Sequence, residues 1–166
     1  MPKAKVIKVN ALDSIKMDFS TLGIRTNLRD FQLAFLLNKH WDCNLVCRPE
    51  GEDVYRNDAL WYFSVYDGHH REGLRMCLIS LYSHVTDYHA TSGLTLFDAP
   101  TQVHLLPTLK AWDYLLIVEN MEFAFDLEAQ LKQAESITTA QYFEAHTQLN
   151  TQETHLLYEI SNSQQH

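Results

Sequence analysis

Nine histidines in a chain of 166 residues are the first side chains to weigh, because imidazoles bind metals and move protons near neutral pH. The densest groups are Asp67-Gly68-His69-His70 and His84-x-x-Asp87-x-His89. A zinc or iron centre needs three or four such ligands converging at about 2 Å. His84 and His89 can face one another across a turn, but neither spacing is a metal-ligand pattern. Solvated loop histidines are therefore the expectation, with no metal and no cofactor, and His69 and His70 are kept as binding candidates. Cys43 and Cys47 share one face if a strand joins them, yet C-x-x-x-C lacks the turn chemistry that lowers a thiol pKa. They read as small buried hydrophobes, as does Cys77 inside an apolar run.

Asp113 is the most informative single residue, standing between Trp112 and Tyr114 at the start of an apolar run. An acid on a central strand must find donors or shift its pKa upward, and perturbed carboxylates cluster at sites. Asp113 and Tyr114 are therefore the other binding candidates. The competing reading is structural: Asp113 caps a turn after Pro107 or pairs with nearby backbone, as buried polar groups usually do. That reading carries more weight. The five glycines are too scattered for a phosphate-cradling loop, and H-E-x-x-H and G-x-S-x-G are both absent. No catalytic residue is assigned, and the balance leans against an enzyme.

These residues must be positioned by elements legible in the pattern. Lys5–Asn10 and Phe19–Ile24 read as strands, the second ending in a turn near Gly23. Asn27 is the expected N-cap of a helix over about Leu28–His40, whose apolar set is Leu28, Phe31, Ala34, Phe35 and Leu37. Leu33 and Leu36 widen that face and predict a helix sunk in the core. Asn44–Arg48 is a short strand, followed by a polar loop over 49–58. Leu60–Tyr66 and Leu74–Tyr82 form an antiparallel hairpin across DGHHREG, with Trp61, Phe63 and Val65 buried on one face. His84–Ala99 reads as a loop. Gln102–Leu106 and Trp112–Val118 read as strands, the latter central because Leu115-Leu116-Ile117-Val118 is apolar on both faces. A second helix spans 122–135 on Ala124, Leu127, Leu131 and Ala134. Ile137–Phe143 is a strand, Leu156–Ile160 a last short one, and a frayed tail begins at about 161. The fold class expected is α+β, a mostly antiparallel sheet of six to eight strands packed with two main helices in one domain over 1–166.

Charge bounds the partners. Residues 1–75 carry eleven basic and ten acidic side chains, whereas 76–166 carry two basic and eleven acidic, a net of −9. No linker marks the shift, so it describes one acidic surface on one domain. Six of the histidines lie in that acidic part, which makes the surface pH-sensitive. Single-stranded nucleic acid is gripped by sheet aromatics with basic neighbours. The aromatic set of Trp41, Trp61, Phe63, Tyr66, Tyr82, Trp112 and Tyr114 has only Arg48, Arg56, Arg71 and Arg75 near it, so core packing is preferred and nucleic acid disfavoured. No apolar run of eighteen residues and no signal-peptide core are present, and three cysteines make no disulfide framework, so a cytoplasmic protein is expected.

The stretch Leu106-Pro107-Thr108-Leu109-Lys110-Ala111-Trp112-Asp113-Tyr114 resembles the signature of the bacterial IPExxxVDY family. Pro107, Asp113 and Tyr114 match, Leu106 is a conservative change, Thr108 replaces Glu and Trp112 replaces Val. Leu22-Gly23-Ile24 and the helix ending Leu37-Asn38-Lys39 are similar as well. The resemblance implies a small cytoplasmic bacterial protein and assigns no activity. If the family's Glu were catalytic, this chain would lack it at Thr108. The functional expectation is a non-catalytic interaction or adaptor domain, monomer or homodimer, whose acidic part meets a basic protein partner. The alternative is a small-ligand binder or enzyme with a pocket near Asp113 and Tyr114.

Overall fold

The computed structural model describes residues 19–56, 59–83 and 102–163. In chain order the elements are β1 (Ser20–Thr26), α1 (Asp30–His40), β2 (Val46–Cys47), β3 (Glu52–Arg56), β4 (Ala59–Phe63), β5 (Val65–His69) and β6 (Arg75–Ser80). A 3-10 turn (Pro107–Leu109) precedes β7 (Tyr114–Val118), α2 (Met121–Leu131), β8 (Ile137–Phe143), α3 (Ala145–Gln148) and α4 (Thr151–Asn162). Six strands make one antiparallel sheet in the order β2-β5-β6-β7-β1-β8, and β3 and β4 pair apart from it. The architecture is α+β, as the strand and helix patterns indicated. No helix among the described residues is long and apolar enough to cross a membrane.

Side-chain alternation gives the sheet two buried faces. Tyr114, Leu116 and Val118 of β7 join Leu22, Ile24, Met76 and Leu78 beneath Leu33, Ala34 and Leu37 of α1 and Ala124, Leu127 and Leu131 of α2. Leu115 and Ile117 point the other way, to Cys77, Ile79, Leu106 and Leu109 and to Leu157 and Ile160 of α4. This is why the run Leu115–Val118 is apolar throughout: β7 is interior and covered on both sides. Burying a residue such as Leu116 contributes roughly 2 kcal/mol. Phe63 and Val65 are fully buried on the α4 face with Trp61 partly covered beside them, which matches the expected set.

Several expectations give way to tertiary structure. Gly23 is mid-strand and marks no turn. A Cβ there would lie 2.4 Å from the indole of Trp112, so the ring lies across bare backbone. Residues 49–58 contain strand β3, which pairs with β4. Leu60–Tyr66 is two strands, broken at Ser64, whose carbonyl accepts from Ser80 N–H at 2.9 Å. Gln102–Leu106 makes only a bridge, Tyr82 to His104, before the 3-10 turn.

Helix α1 starts at Asp30, with its cap at Arg29 and not Asn27. The Gln32 side chain accepts from Arg29 N–H there, and Thr26 Oγ1 accepts from Leu28 N–H. Phe31 and Phe35 are 55% and 66% exposed, so the core face of α1 is narrower than its apolar residues suggested. Leu156–Ile160 is helical, inside α4. Asn150 Oδ1 accepts from Glu153 N–H at 2.9 Å and Glu153 Oε2 from Asn150 N–H at 3.2 Å, a reciprocal cap that starts the helix. That helix runs through Asn162 with Ser161 buried, so any tail begins later than 161. The strand expected at Lys5–Asn10 and the loop expected at His84–Ala99 lie outside the described residues. Cys43 is buried as expected, where burial pushes its thiol up to about 11, but Cys47 is no buried hydrophobe: it is exposed on β2, the edge strand of the sheet.

Candidate functional site

Asp113 sits just ahead of β7 with its amide, its carbonyl and one carboxylate oxygen hydrogen-bonded. Its amide donates to Ile24 O at 3.0 Å and its carbonyl accepts from Leu81 N–H at 2.9 Å. The β1–β8 register shifts between Arg25 and Thr26, and Asp113 Oδ2 accepts the Thr26 N–H at 2.9 Å. A bulge thus frees an amide, and the acid satisfies it. Tyr114 points to the opposite face, where its hydroxyl donates to Leu28 O at 2.9 Å and ties down the lead into α1. Burial, followed by the nearby charges of Asp30 and Asp113, raises its phenol well above the usual range. Each side chain of the pair thus ties a backbone group, Asp113 that of Thr26 and Tyr114 that of Leu28. Replacing Asp113 by alanine should cost about 2 kcal/mol and by asparagine about 1, since only the charge of the acceptor is lost. Unchanged urea midpoints for both variants would contradict this role.

His69 and His70 lie at the other end of the sheet. The five residues of β7 separate the two ends, roughly 17 Å. His69 is exposed and is the register partner of Arg75. His70 packs on Phe123 with ring centroids 4.5 Å apart, and its Nδ1 accepts from Glu72 N–H at 3.3 Å. Asp67 is claimed by Arg48 on the α4 face. The segment Asp67–His70 therefore does not converge, and among the described residues no group of three His, Cys, Asp or Glu is placed to hold a metal. The acidic-part histidines also divide. His104 is buried, with its imidazole pushed down by burial, while His146 and His155 are exposed beside Glu144 and Glu159.

What does converge is the end of the sheet where β1 begins, β7 and β8 end and β6 begins. A cavity of about 190 Å³ opens between this edge and the last turn of α4, lined by Phe19, Arg75, Cys77, Ile117, Glu119, Tyr158 and Asn162 among others. Cys77 faces it as a passive wall, since burial holds its thiol protonated. Beside it a groove of about 280 Å³ runs between β8, α3 and the start of α2, lined by Met121, Tyr142, Glu144, Ala145 and His146. Phe19 and Glu119 belong to both.

Helix α2 extends this groove outward. Ala124, Leu127 and Leu131 take its inner face, leaving Met121 and Phe125 on one flank, 52% and 46% exposed. Phe125 meets the Tyr142 ring of β8 at 4.4 Å, which carries the apolar stripe across to the sheet edge. Next to it run Glu122 and Asp126, also four apart and exposed, with Glu119 and Glu144 at the groove. The one basic side chain on α2 or just after it, Lys132, is paired with Glu128. The β8 edge itself is partly blunted, because Glu128 Oε2 accepts the Tyr142 N–H at 3.1 Å.

None of these residues was a site candidate from sequence, where Cys77 read as core and Arg75 only as a basic neighbour of the aromatic set. The signal for Met121 and Phe125 was present, however: two large apolar residues at i, i+4 that fall off the Ala124–Leu127–Leu131 stripe. Arg75, Glu119, Tyr158 and Asn162 carried no such mark, since they come from three distant segments. No protein-family model, no curated protein and no solved structure matches the chain.

Proposed function

We propose that the chain is a non-catalytic protein-interaction domain that takes up a basic, partly apolar segment of a partner along the outward side of α2 and the adjoining groove. The exposed Met121–Phe125 stripe, flanked by Glu122 and Asp126, carries this reading. Apolar side chains of the segment cover the stripe, and lysines or arginines meet the acidic row. Charge of one sign on the domain sets which partners approach and how fast, while the apolar contact sets how long they stay. The same acidic row disfavours a phosphate backbone. A pocket at Asp113 and Tyr114 has less support, because both side chains are spent on backbone groups.

A labelled peptide of alternating lysine and leucine serves as the probe in fluorescence anisotropy. Binding in the micromolar range that weakens as salt rises is expected. The double substitution Glu122→Gln with Asp126→Lys should weaken it about tenfold and lower the melting temperature by no more than a few degrees, since both side chains are exposed and only the first-turn charge of Glu122 is lost from α2. Equal affinity for wild type and the double variant would remove this face from the function.

A further inference from the structure

The cavity beside α4 holds an arrangement that the interaction reading does not use. Arg75 and Ile117 face it from β6 and β7, Glu119 follows β7, Phe19 precedes β1, and Tyr158 and Asn162 come from the last turn of α4. Arg75 donates from Nη2 to Ser161 O, which fixes the guanidinium at the carbonyl end of the helix. Glu119 is fixed as well, its Oε2 accepting from Arg75 N–H at 3.1 Å. Yet the two charged groups do not pair. The ion pairs among the described residues join Arg48 to Asp67, Arg71 to Asp42, Lys132 to Glu128 and two histidines to glutamates, and none joins Arg75 to Glu119. A cation and an anion thus border one cavity, each anchored through the backbone, and Phe19 and Ile117 add apolar lining to it.

We infer that this cavity binds a small zwitterion with an apolar tail, an aliphatic α-amino acid being the class that fits. The carboxylate meets the Arg75 guanidinium, the ammonium meets the Glu119 carboxylate, and the tail lies on Phe19 and Ile117. Charge balance supports a zwitterion over a simple carboxylate, which would face Glu119, and over a simple amine, which would face Arg75. Size agrees. A dry cavity of about 150 Å³ accepts benzene, and about 190 Å³ holds a branched aliphatic side chain with its head at the open mouth.

The test titrates the full chain with L-leucine, isocaproate and isoamylamine, following backbone amide shifts by NMR. L-leucine should bind at least tenfold more tightly than either half-molecule, with shifts concentrated at Phe19, Met76, Ile117 and Tyr158. Glu119→Gln should weaken L-leucine about tenfold and leave isocaproate unchanged or tighter. Arg75→Lys keeps the cation but loses the forked donor, and should weaken both carboxylates. If that variant folds poorly through loss of the helix contact, Glu119→Gln alone decides. Absence of L-leucine binding at about 10 mM in the wild type overturns the inference, as does a Glu119→Gln variant with the same preference for L-leucine over isocaproate. The lysine–leucine peptide result stands apart, since its variants lie on α2.

Discussion

Replacing Arg48 with methionine should destabilise the fold by about 3 kcal/mol. Its guanidinium grips Asp67 through two bonds, Nε to Oδ2 at 2.7 Å and Nη2 to Oδ1 at 3.0 Å. The same group donates to Ile160 O at 3.1 Å and to Ser163 Oγ at 2.7 Å, so one side chain joins the β2 edge, β5 and the end of α4. Helix α4 has no basic residue in its last turn, and Arg48 and Arg75 supply from the sheet the positive charge its carbonyl end favours. Both partners of the ion pair are largely covered, at 16% and 14% exposure. Removing one leaves the other carboxylate buried and unpaired, for which 3–5 kcal/mol is typical; the residual exposure places this pair at about the low end. Urea denaturation measures the loss. Adding Asp67→Leu to the methionine variant should recover part of it, because the stranded charge is gone. A single variant within about 0.5 kcal/mol of wild type would mean that Arg48 does not hold α4 to the sheet.

Glu153→Ala is expected to cost a similar amount, about 3 kcal/mol, by a different route. Glu153 is a carboxylate only 4% exposed at the start of α4. It accepts from Thr108 N–H at 2.9 Å, from the Thr108 hydroxyl at 2.5 Å and from Asn150 N–H at 3.2 Å. Alanine strands those donors beside the 3-10 turn and removes the negative charge that the helix start favours. Each bond to a charged group contributes about 1.5–3 kcal/mol, reduced where water can replace it. Glu153→Gln keeps an acceptor and should lose about half as much. Thr108 matters here in a way its type did not announce: it holds a carboxylate supplied from α4. Thr108→Glu would set two carboxylates face to face, and should lower the thermal midpoint where Thr108→Ser does not. A midpoint unchanged by Glu153→Ala would show that the contact is incidental.

Much of this fold was legible because local pattern and tertiary outcome agreed. Leu115–Val118 is apolar on both faces, and a strand can only be so if layers cover both sides. The antiparallel pairing of β5 with β6 followed from two apolar runs around a polar loop with Gly73, although Asp67–His69, read as loop, pair within the strand. The α2 stripe followed from 3.6-residue spacing. Illegible elements were those whose apolar residues fit two periods. Leu156, Leu157 and Ile160 suit a short strand or a helix equally, and only the reciprocal cap of Asn150 and Glu153 separates them. The polar spacing of that cap was in the sequence, so this element was missed and not hidden.

The candidate site divides along the same line. The sequence by itself determined that acidity gathers in the second part of the chain and that the carboxylate of Asp113, beside an apolar strand, needs donors or a raised pKa. Both are properties of residue type and short-range order; the donor that Asp113 finds, Thr26 N–H, lies 87 positions away. It could not determine that Asp113 and His69 stand at opposite ends of a sheet, because strand order is set by packing across many residues. Nor could it place Arg75, Glu119 and Asn162 around one cavity. Those residues are 44 and 43 positions apart along the chain, and only the antiparallel register of β6 with β7 and the landing of α4 bring them together. Composition fixes which charges a chain has to place; long-range contacts decide which of them face each other.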